Sequence, residues 1–386
     1  MSDMRTYKTE INPTEEQKLK IRQTIGTCRF IYNFYLAHNK EVYEKEQRFV
    51  SGYDFSKWLN NDFIPNNPDY LWIKSVSSKA VKQSIMNADT AFRRFFKKQT
   101  GFPKFKKKGR SNVKAYFPKN SKGDWTIERH RLKIPTLGFV QLKEKGYIPT
   151  DSKVMSGTIS IQAGRYYVSI LVDEDFDQSM GVLPYGIGID LGIKDFAIIS
   201  NGDVYKNINK SQKIRRLNKR LKHEQRCLSR KYENKKKRRA TDSAKNIEKQ
   251  ILKVQKLHQR LQNARQDYVN QIVSELVKIK PVYITVEDLN VKGMMKNRHL
   301  SKAIAQQNFY YFKTKLESKC NIHGIELRTV SRWYPSSKTC SSCGCIKSDL
   351  KLSDRVYICP DCGFEIDRDL NAAINLKNAI EYTIAS

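Results

Sequence analysis

The sequence lacks the features of a membrane or secreted protein. It has no run of about 18 apolar residues and no lipidation signal, which argues against a membrane-spanning helix and a lipid anchor. The opening MSDMRTYKTE contains no apolar signal core, so we expect the chain to stay in a reducing cytosol. A disulfide framework is not expected in that compartment at a length of 386 residues.

Acidic residues are also scarce. Asp and Glu number 39 against 72 Lys and Arg, which gives a formal net charge of +33. A surface with this excess repels itself unless a polyanion lies against it, and the long polyanions of cells are nucleic acids. An anionic membrane surface is the competing partner. Because 386 residues exceed what one hydrophobic core usually supports, we expect two or three domains.

Most of the eight cysteines fall in one short stretch. CSSC at 340–343 and CPDC at 359–362 are separated by 15 residues, a spacing typical of structural zinc sites. Each C-x2-C turn aims two thiolates at one point, and four thiolates close a tetrahedron around zinc. The predicted ligands of one structural Zn²⁺ are therefore Cys340, Cys343, Cys359 and Cys362. Cys345 remains an alternative to Cys343.

The first half of the chain predicts one strand, a block of helices and a small antiparallel barrel. Residues 4–13 alternate as a strand, and a capping box begins at Thr14, before a long helix. An Asn- and Pro-rich loop is expected at 60–70 and a second helix at 77–98. Short alternating runs between 125 and 173 predict further strands. We expect the first strand to belong to the barrel, with the helices inserted into it.

A third region begins near residue 182 and has an α/β pattern. YGIGID at 185–190 predicts a strand that looks buried on both faces, and two more strands precede a helical stretch at 209–279. A break in that stretch is expected at KKKRR, 235–239. The remaining predicted elements are a strand at 280–290, a helix at 301–324, a strand at 325–331 and a closing helix at 367–382.

Three acidic residues of this region occupy suggestive positions. Asp190 and Glu287 each end an apolar strand, and Asp369 lies in the first turn of the closing helix. Each has an ordinary structural explanation, as a turn cap, a lysine partner or a helix-end charge. A cluster of all three repels itself unless cations bind it, and two Mg²⁺ ions can clamp a phosphodiester during hydrolysis. In a strongly basic protein, such a site indicates a nuclease.

Neighbouring acids compete for these roles. Asp367 is two residues from Asp369, so only one of the two can face the cluster once the helix has begun. Asp195 and Asp288 lie close to the other two candidates in sequence. Asp288 is expected to face away from Glu287, because successive side chains of a strand alternate.

Basic segments supply candidate contacts to nucleic acid. FPKFKKKGR at 102–110 interleaves aromatic and cationic residues, which suits backbone contact with base stacking. RKYENKKKRR at 230–239 is either a second contact or a solvated loop. The polar face of the helix at 77–98 can read base edges, although a plain solvent face is an equal alternative. The predicted contact residues are Lys82, Gln83, Asn87, Lys104, Lys106, Lys107 and Arg110.

The motifs GIDLG, VEDLN, YPSSKTCSSCG and CGFEIDRDLNAAINL resemble the TnpB family, transposon-encoded nucleases related to the type V CRISPR effectors. They span roughly residues 182–386, and the first half matches more loosely, in SSKAVKQSIMNADTAF and FPKFKKK. By this resemblance the three RuvC acids fall on Asp190, Glu287 and Asp369. Asp369 is preferred over Asp367 because the family's acid stands two residues before the Asn of NAA, here Asn371.

The resemblance implies an α/β RNase H-like (RuvC) nuclease domain with a zinc ribbon insert, preceded by a β-barrel wedge domain with an inserted helical recognition domain. The predicted layout is a wedge strand at 1–13, a recognition insertion at 14–100, the wedge barrel at 101–181, a RuvC-like nuclease at 182–336 with a helical insertion at about 209–279, a zinc ribbon at 337–364 and a RuvC-like C-terminal helix at 365–386.

The family's activity implies RNA-guided cleavage of double-stranded DNA next to a short target-adjacent motif, directed by an RNA from the transposon end. The expected partners are guide RNA and target DNA, with no membrane and no protein partner needed for cleavage. The expected location is a prokaryotic cytoplasm, on the nucleoid when DNA is bound. The alternatives are a guide-independent resolvase or transposase, a nuclease-inactive regulator, and a zinc-ribbon binder whose acids are structural.

Overall fold

The computed structural model describes residues 3–109, 111–119, 123–174, 183–237, 244–351 and 353–385. The chain divides into two compact units, Met1–Asp175 and Phe176–Ser386. The first is built on an antiparallel sheet with a block of helices, and the second on a mixed sheet with helices and a small cysteine-bearing hairpin. Each unit has a hydrophobic core of its own.

In the described residues of the first unit, seven strands form one sheet. They are β1 (Asp3–Asn12), β2 (Ala115–Pro118), β3 (Thr126–Ile127), β4 (Arg131–Ile134), β5 (Gly138–Leu142), β6 (Lys153–Gln162) and β7 (Arg165–Glu174). Their order is β2-β6-β7-β1-β5-β4-β3. β1 pairs with both β5 and β7, so the predicted membership of the first strand is confirmed. In the described part of the chain, β2 and β3 are the two edges, so hydrogen bonds do not close a barrel.

The helices between β1 and β2 form a second core. They are α1 (Glu15–Glu46), α2 (Gly52–Trp58), α3 (Ile64–Asn66) and α4 (Ser78–Phe96). The predicted capping box is confirmed, since the Thr14 hydroxyl accepts the Gln17 N–H and the Gln17 side chain accepts the Thr14 N–H. Apolar residues spaced at helical intervals on α1 and α4 share this core, among them Ile31, Val81 and Ile85.

The segment 60–70, predicted to be a loop, is helical instead. A π-helical turn at Leu59–Phe63 runs into α3, and a 3-10 helix at Pro68–Ser75 follows. Proline is tolerated in the first turn of a helix, where its missing N–H would have no partner. Pro65 and Pro68 therefore lie in the first turns of helices, and the apolar residues on either side of them, Leu59, Ile64 and Ile73, are buried in the core.

Eight strands lie in the part of the second unit that the structure describes. They are β8 (Ile187–Leu191), β9 (Asp195–Ile199), β10 (Val204–Lys206), β11 (Tyr283–Glu287), β12 (Glu326–Val330), β13 (Val356–Ile358), β14 (Glu365–Asp367) and β15 (Thr383–Ile384). β13 and β14 form a separate hairpin, and the others make one sheet in the order β10-β9-β8-β11-β12-β15. β11 is parallel to β8 and β12, so the carboxyl ends of these three strands meet at one edge. We call this the carboxyl edge.

The helices of the second unit are α5 (Gln212–Lys237), α6 (Ala244–Lys278), α7 (Val291–Met294), α8 (Ser301–Gln307), α9 (Phe309–His323) and α10 (Arg368–Lys377). α6 and α9 cover the sheet face that carries Ile187 and Ile189. The expected break in the long helical stretch separates α5 from α6, in residues 238–243, which lie outside the described part of the chain. Among the described helices, none combines the length and apolar composition that a bilayer crossing requires.

Two predicted helices differ from the structure. The helix expected at 301–324 is two helices, because Asn308 between α8 and α9 has a left-handed φ of 59°. Asn tolerates this conformation better than most residues, and the buried Gln307 side chain fixes the break by donating to two carbonyls of the β8–β9 turn. The closing helix is shorter than expected: it ends at Lys377, and residues 383–384 form β15.

Candidate metal centres

Two of the predicted acids lie level with each other on adjacent parallel strands. Ile189 of β8 pairs with Val286 of β11. The next residue on each strand is an acid, Asp190 or Glu287, and residues at one level of paired strands share a face of the sheet. Neighbouring strands are about 4.8 Å apart. Both acids are partly buried at the carboxyl edge.

The third acid is carried by α10, which lies directly on β8. A Cβ at Gly188 would overlap the carbonyl oxygen of Ala373 and the amide nitrogen of Lys377, so only glycine permits this contact. Asp190 is two residues, about 6.6 Å, further along the same strand face. Asp369 is four residues, about 6 Å, from Ala373 on the same side of α10.

The direction of α10 follows from a bond at its last residue. The hydroxyl of Tyr283, at the start of β11, donates to the carbonyl of Lys377 at 3.1 Å. α10 therefore ends near the beginning of β11 and begins near the carboxyl edge. Asp369, in the first turn of α10, thus lies at the edge that carries Asp190 and Glu287.

The charges of these acids act on one another. Burial first, and then repulsion from Asp369 and Glu287, raise the pKa of Asp190 from 3.8 to about 7. Burial and the adjacent Asp288 charge also raise the pKa of Glu287 above its ordinary value. Desolvated carboxylates that repel one another are unfavourable in their charged form, and a bound cation reverses that balance. Oxygen donors of this kind are the ligands that hard divalent cations prefer.

Asp367 and Asp369 have different partners, although they are two residues apart. Asp367 caps α10, and its carboxylate accepts the backbone N–H groups of Asp369 and Leu370 at 3.0 and 3.1 Å. A carboxylate in this role stabilises the helix end. Asp369 instead projects from the first turn, with Arg355 at 3.8 Å and a quarter of its side chain exposed.

Asp288 and Asp195 are engaged in ion pairs. Asp288 accepts from Lys313 and from Arg332, each at 3.1 Å. The bond from Lys313 is the main cause that lowers the pKa of Asp288, whereas the pKa of the adjacent Glu287 is raised. Asp195 pairs with Lys206 at 3.3 Å.

The three carboxylates do not converge on a single point. In the described part of the chain, only the four cysteines form a group of three or more His, Cys, Asp or Glu with all ligand atoms within 4.8 Å of one another. Asp190, Glu287 and Asp369 are therefore spaced more widely than the ligands of one preformed ion site. A pair of ions about 3.5–4 Å apart accommodates a wider spacing.

The cysteines form a second, tighter centre from two matching turns. In each turn, the glycine after the second cysteine donates its N–H to the carbonyl of the first, Gly344 to Cys340 at 2.9 Å and Gly363 to Cys359 at 3.2 Å. Both glycines have left-handed φ angles, 79° and 72°, which other residues rarely adopt. The two turns present their thiols to each other from opposite sides.

The four sulfur atoms have the spacing of a metal site. The Sγ–Sγ distances are 3.8 Å for Cys340–Cys362 and 3.5 Å for Cys343–Cys359. Bonds of about 2.3 Å to one tetrahedral zinc give sulfur separations of about 3.8 Å. Cys345 is outside this group, and its carbonyl accepts the Cys340 N–H at 2.8 Å. The cluster can hold a metal ion without Cys345.

Two buried asparagines connect α10 to the first cysteine turn. The Asn371 side chain donates to the Thr339 carbonyl at 2.7 Å and accepts the Ser341 N–H at 3.0 Å. Asn375, one helical turn later, donates to the same carbonyl at 2.6 Å. The helix that carries the third acid is therefore bonded to the backbone on both sides of Cys340.

The predicted contacts on α4 are accessible. Lys82 and Asn87 are exposed and Gln83 is partly exposed. Gln83 donates to Asn87 at 3.0 Å, and the Lys82 ammonium lies 5.4 Å from the ring centre of Tyr53, which is itself exposed. A role for these side chains in nucleic-acid binding stays a prediction.

The second predicted contact segment precedes β2. Lys104 and Lys107 are exposed, whereas Lys106 is partly buried with its ammonium 4.8 Å from the ring centre of Tyr32. Arg110 lies outside the described residues. The described lysines present charge to solvent, and their binding role also stays a prediction.

The glycines of YGIGID have a role in the structure that was not predicted from the sequence. The run was expected to be a strand buried on both faces. Ile187 and Ile189 do face α6 and α9, but Gly188 on the other face admits the backbone of α10. The strict Gly-Ile alternation was the available signal, because Asp190 continues the glycine face. The roles of Asn371 and Asn375 were also missed, although their spacing of four residues places them on one helix face.

Three family models match the chain: "Helix-turn-helix domain" over residues 1–48, "Probable transposase" over 185–298 and "Cas12f1-like, TNB domain" over 309–376. In the described residues 3–48, the chain forms β1 and the single continuous helix α1, so that segment contains no helix-turn-helix. The third match includes all four clustered cysteines and Asp369.

Curated proteins of bacteria align with nearly the whole chain. A protein of Streptomyces pristinaespiralis named "Putative RNA-guided DNA endonuclease" is 30% identical over 377 residues, which cover 97% of this chain and 89% of that protein. The Escherichia coli K12 protein "Putative RNA-guided DNA endonuclease InsQ" is 27% identical over 394 residues, covering 98% and 93%.

A solved structure shares the fold. The Cas12f1 chain from a cryo-EM structure of a Cas12f1–sgRNA–target DNA complex superposes with a TM-score of 0.59 and 16% identity. The superposition covers 99% of this chain and 100% of that chain. At this identity the likeness concerns the fold.

Proposed function

Because the chain belongs to the TnpB family of transposon-associated RNA-guided DNA endonucleases, we propose that it cleaves guide-matched DNA at the carboxyl edge, where Asp190, Glu287 and Asp369 lie. The observation that carries the proposal is the arrangement of two parallel strands and one antiparallel helix around Gly188. It brings together acids that are about a hundred residues apart in sequence, so that Asp369 and Glu287 repel the charge of Asp190. The order β10-β9-β8-β11-β12 supports the RNase H-like assignment.

Asp190, Glu287 and Asp369 are the proposed ligands of two Mg²⁺ ions. Their wider spacing, their oxygen donors and the raised pKa of Asp190 suit a paired site better than a single ion. When bound, such ions activate a water for attack on the phosphodiester and stabilise the leaving oxygen. Asp367 holds the start of α10 and thereby sets the position of Asp369.

The cysteine cluster is the proposed site of one structural Zn²⁺. Its closed set of four thiolates leaves no position for substrate, as is usual for structural zinc. Asn371 and Asn375 bond α10 to the backbone beside the cluster. We therefore infer that the cluster helps to hold Asp369 in position without contacting the acid site.

Guide RNA and target DNA are the proposed partners. The Cas12f1 of similar fold was solved with sgRNA and target DNA, and the net charge of +33 suits two polyanions. Lys82, Gln83, Asn87 and the described lysines of 104–107 are the proposed contacts in the first unit. A guide from the transposon end and a short target-adjacent motif belong to the same proposal.

The test begins with RNA that copurifies with the full-length chain. Sequencing this RNA supplies the guide, and a plasmid library that carries the matching target beside a randomised flank is then incubated with Mg²⁺. We expect cleavage of matched plasmids beside one short flanking sequence, and none with a mismatched guide, with chelator or with Asp190→Ala. RNA-free protein that cuts branched DNA would instead indicate a guide-independent resolvase or transposase. Guided binding without cleavage would indicate a regulator.

A further inference from the structure

One large apolar side chain at the carboxyl edge is almost fully exposed. Trp333 follows β12 and has 86% of its surface open to solvent. Burying an aromatic side chain is worth a few kcal/mol, so an indole left in water forgoes a large stabilisation. The other three tryptophans, at 58, 72 and 125, have at most 42% of their surface exposed. Trp333 therefore differs from every other tryptophan of the chain.

The residues on both sides of Trp333 are fixed. Arg332 donates to the Asp288 carboxylate at 3.1 Å. Tyr334 packs with Val330 and the end of α10, and its hydroxyl donates to the Asn375 carbonyl at 3.3 Å. Both neighbours are bonded to other elements and the Trp333 N–H donates to the Ser331 hydroxyl at 3.3 Å, so the backbone of Trp333 is held while its side chain lies in solvent.

This position adjoins the acid site. Val330, the last residue of β12, pairs with Glu287 of β11, and the Asp288 N–H donates to the Val330 carbonyl at 2.9 Å. Trp333 lies three residues after that pair, and three residues span at most about 10 Å. The backbone of Trp333 is thus within about 10 Å of the Val330–Glu287 pair, a distance that one or two nucleotides span.

We propose that Trp333 is a stacking platform for a base of the DNA strand that is cut at Asp190, Glu287 and Asp369. This rests on the proposed function, which brings a single strand to the carboxyl edge. Aromatic side chains bind single strands by stacking on bases, and every base offers a face for this contact. The flat indole would hold the nucleotide beside the scissile phosphate, while Arg332, one residue earlier, adds positive charge for the backbone. Trp333 is a binding residue and takes no part in the chemical step.

The experiment removes the indole of Trp333 and, separately, the base that is proposed to stack on it. Guide-loaded full-length protein is tested in single-turnover cleavage with Trp333→Ala and Trp333→Phe, on targets that carry one abasic nucleotide at successive positions around the cut. Ile380→Ala is the matched control, because Ile380 is 91% exposed but follows the far end of α10. Unfolding temperatures establish that each variant folds.

We expect Trp333→Ala to lower the cleavage rate about tenfold on intact DNA and Trp333→Phe to recover most of it, with guided target binding unchanged. At one abasic position, the wild type should fall to the rate of Trp333→Ala, and that variant should lose nothing further. The stacking role is wrong if the rate losses from Trp333→Ala and from the abasic nucleotide multiply at every position tested. It is also wrong if Ile380→Ala lowers the rate as much as Trp333→Ala does.

A second measurement separates this proposal from the proposed function. Indole fluorescence of the Asp190→Ala protein is followed while a single-stranded oligonucleotide is added without metal. Quenching that disappears in Asp190→Ala/Trp333→Phe supports stacking even if the wild type cuts no guided DNA, in which case only the proposed function fails. Equal quenching in both proteins contradicts the role of Trp333, whatever the cleavage result.

Discussion

The second unit contains two candidate metal centres, and they are assembled to different degrees. The four cysteine sulfurs already lie within 4.8 Å of one another, at distances that fit one tetrahedral ion. The three carboxylates share an edge, where burial and then repulsion from Asp369 and Glu287 raise the pKa of Asp190, but they do not converge in this way. A closed structural site and an open catalytic site are expected to differ in this respect, because only the second must admit a substrate.

The two centres also depend on different ranges of sequence. The cysteine turns are local, since each is closed by a glycine N–H within five residues. The acid site depends on strand register, on the contact at Gly188 and on the direction of α10. Asn371 joins the two centres by bonding the helix of Asp369 to the turn at Cys340. Variants that damage one centre and leave the other intact test whether the two centres form independently.

The largest effect is expected from the acids. Asp190→Ala, Glu287→Gln and Asp369→Asn should each lower the guided cleavage rate at least about a thousandfold, because groups that act as a unit fail together. Zinc content and binding of RNA and target should be unchanged. Single-turnover cleavage and filter binding measure the two properties. Asp195→Asn, on the same sheet but paired with Lys206, is the control and should stay near the wild-type rate.

The next largest effect is expected from the cysteines. Cys343→Ser should reduce zinc content from about one ion per chain to well below half after dialysis against a chelator, and should lower the unfolding temperature, because zinc binding contributes folding free energy. Cys345→Ser should retain the ion, since its sulfur is outside the group of four. Metal analysis and thermal unfolding give both values. Equal zinc loss in the two variants would mean that the ligand set is wrong.

A smaller effect is expected at the link between the centres. Asn371→Ala leaves the Ser341 N–H without its side-chain acceptor, at a cost of about 1–3 kcal/mol, whereas the Thr339 carbonyl keeps its bond from Asn375. We expect cleavage to fall about tenfold while zinc content remains at one ion, because Asp369 shifts and the thiolates do not. Asn378→Ala, at the exposed end of the same helix, should have no effect. Loss of zinc in Asn371→Ala would show that the asparagine serves the cluster instead.

The smallest effect concerns the metal-free acid site. The pKa of Asp190 in the folded protein, about 7, exceeds its ordinary value of 3.8, so the folded state holds a proton that the unfolded state releases between these values. Stability should therefore fall as pH rises from 4 to 7. Asp190→Asn removes this pH-dependent decrease in stability. The variant should therefore unfold a few degrees above the wild type at pH 8 in chelator, with no difference at pH 4. Calorimetry at both pH values decides the sign.

The sequence reveals the cysteine centre more completely than the acid centre for physical reasons. The spacing of Cys340, Cys343, Cys359 and Cys362 predicts that the four sulfur atoms converge, because two short turns suffice to aim the thiols. The acids were chosen from their positions at element ends, but nothing local to Asp369 indicates that α10 runs back along β8. That arrangement depends on Gly188, whose meaning appears only when a helix lies against it.

Elsewhere, tertiary packing overrode local preference. The Pro- and Asn-rich segment 60–70 was expected to be a loop, yet it forms helical turns because its apolar residues reach the core of α1 and α4. Asn308 interrupts an apparently continuous helix, where the buried Gln307 side chain holds the neighbouring turn. The long α1 and its cap at Thr14, by contrast, are fixed by local signals and were predicted well.

The most direct test is to locate divalent ions at the carboxyl edge. Crystals of the guide-loaded protein with uncut target, soaked with Mn²⁺, would be measured at the manganese absorption edge. We expect two anomalous peaks about 3.5–4 Å apart, with Asp190 bonded to both and Glu287 and Asp369 each bonded to at least one. Peaks elsewhere, or a pair from which one of these three carboxylates is remote, would contradict the assignment of the nuclease site.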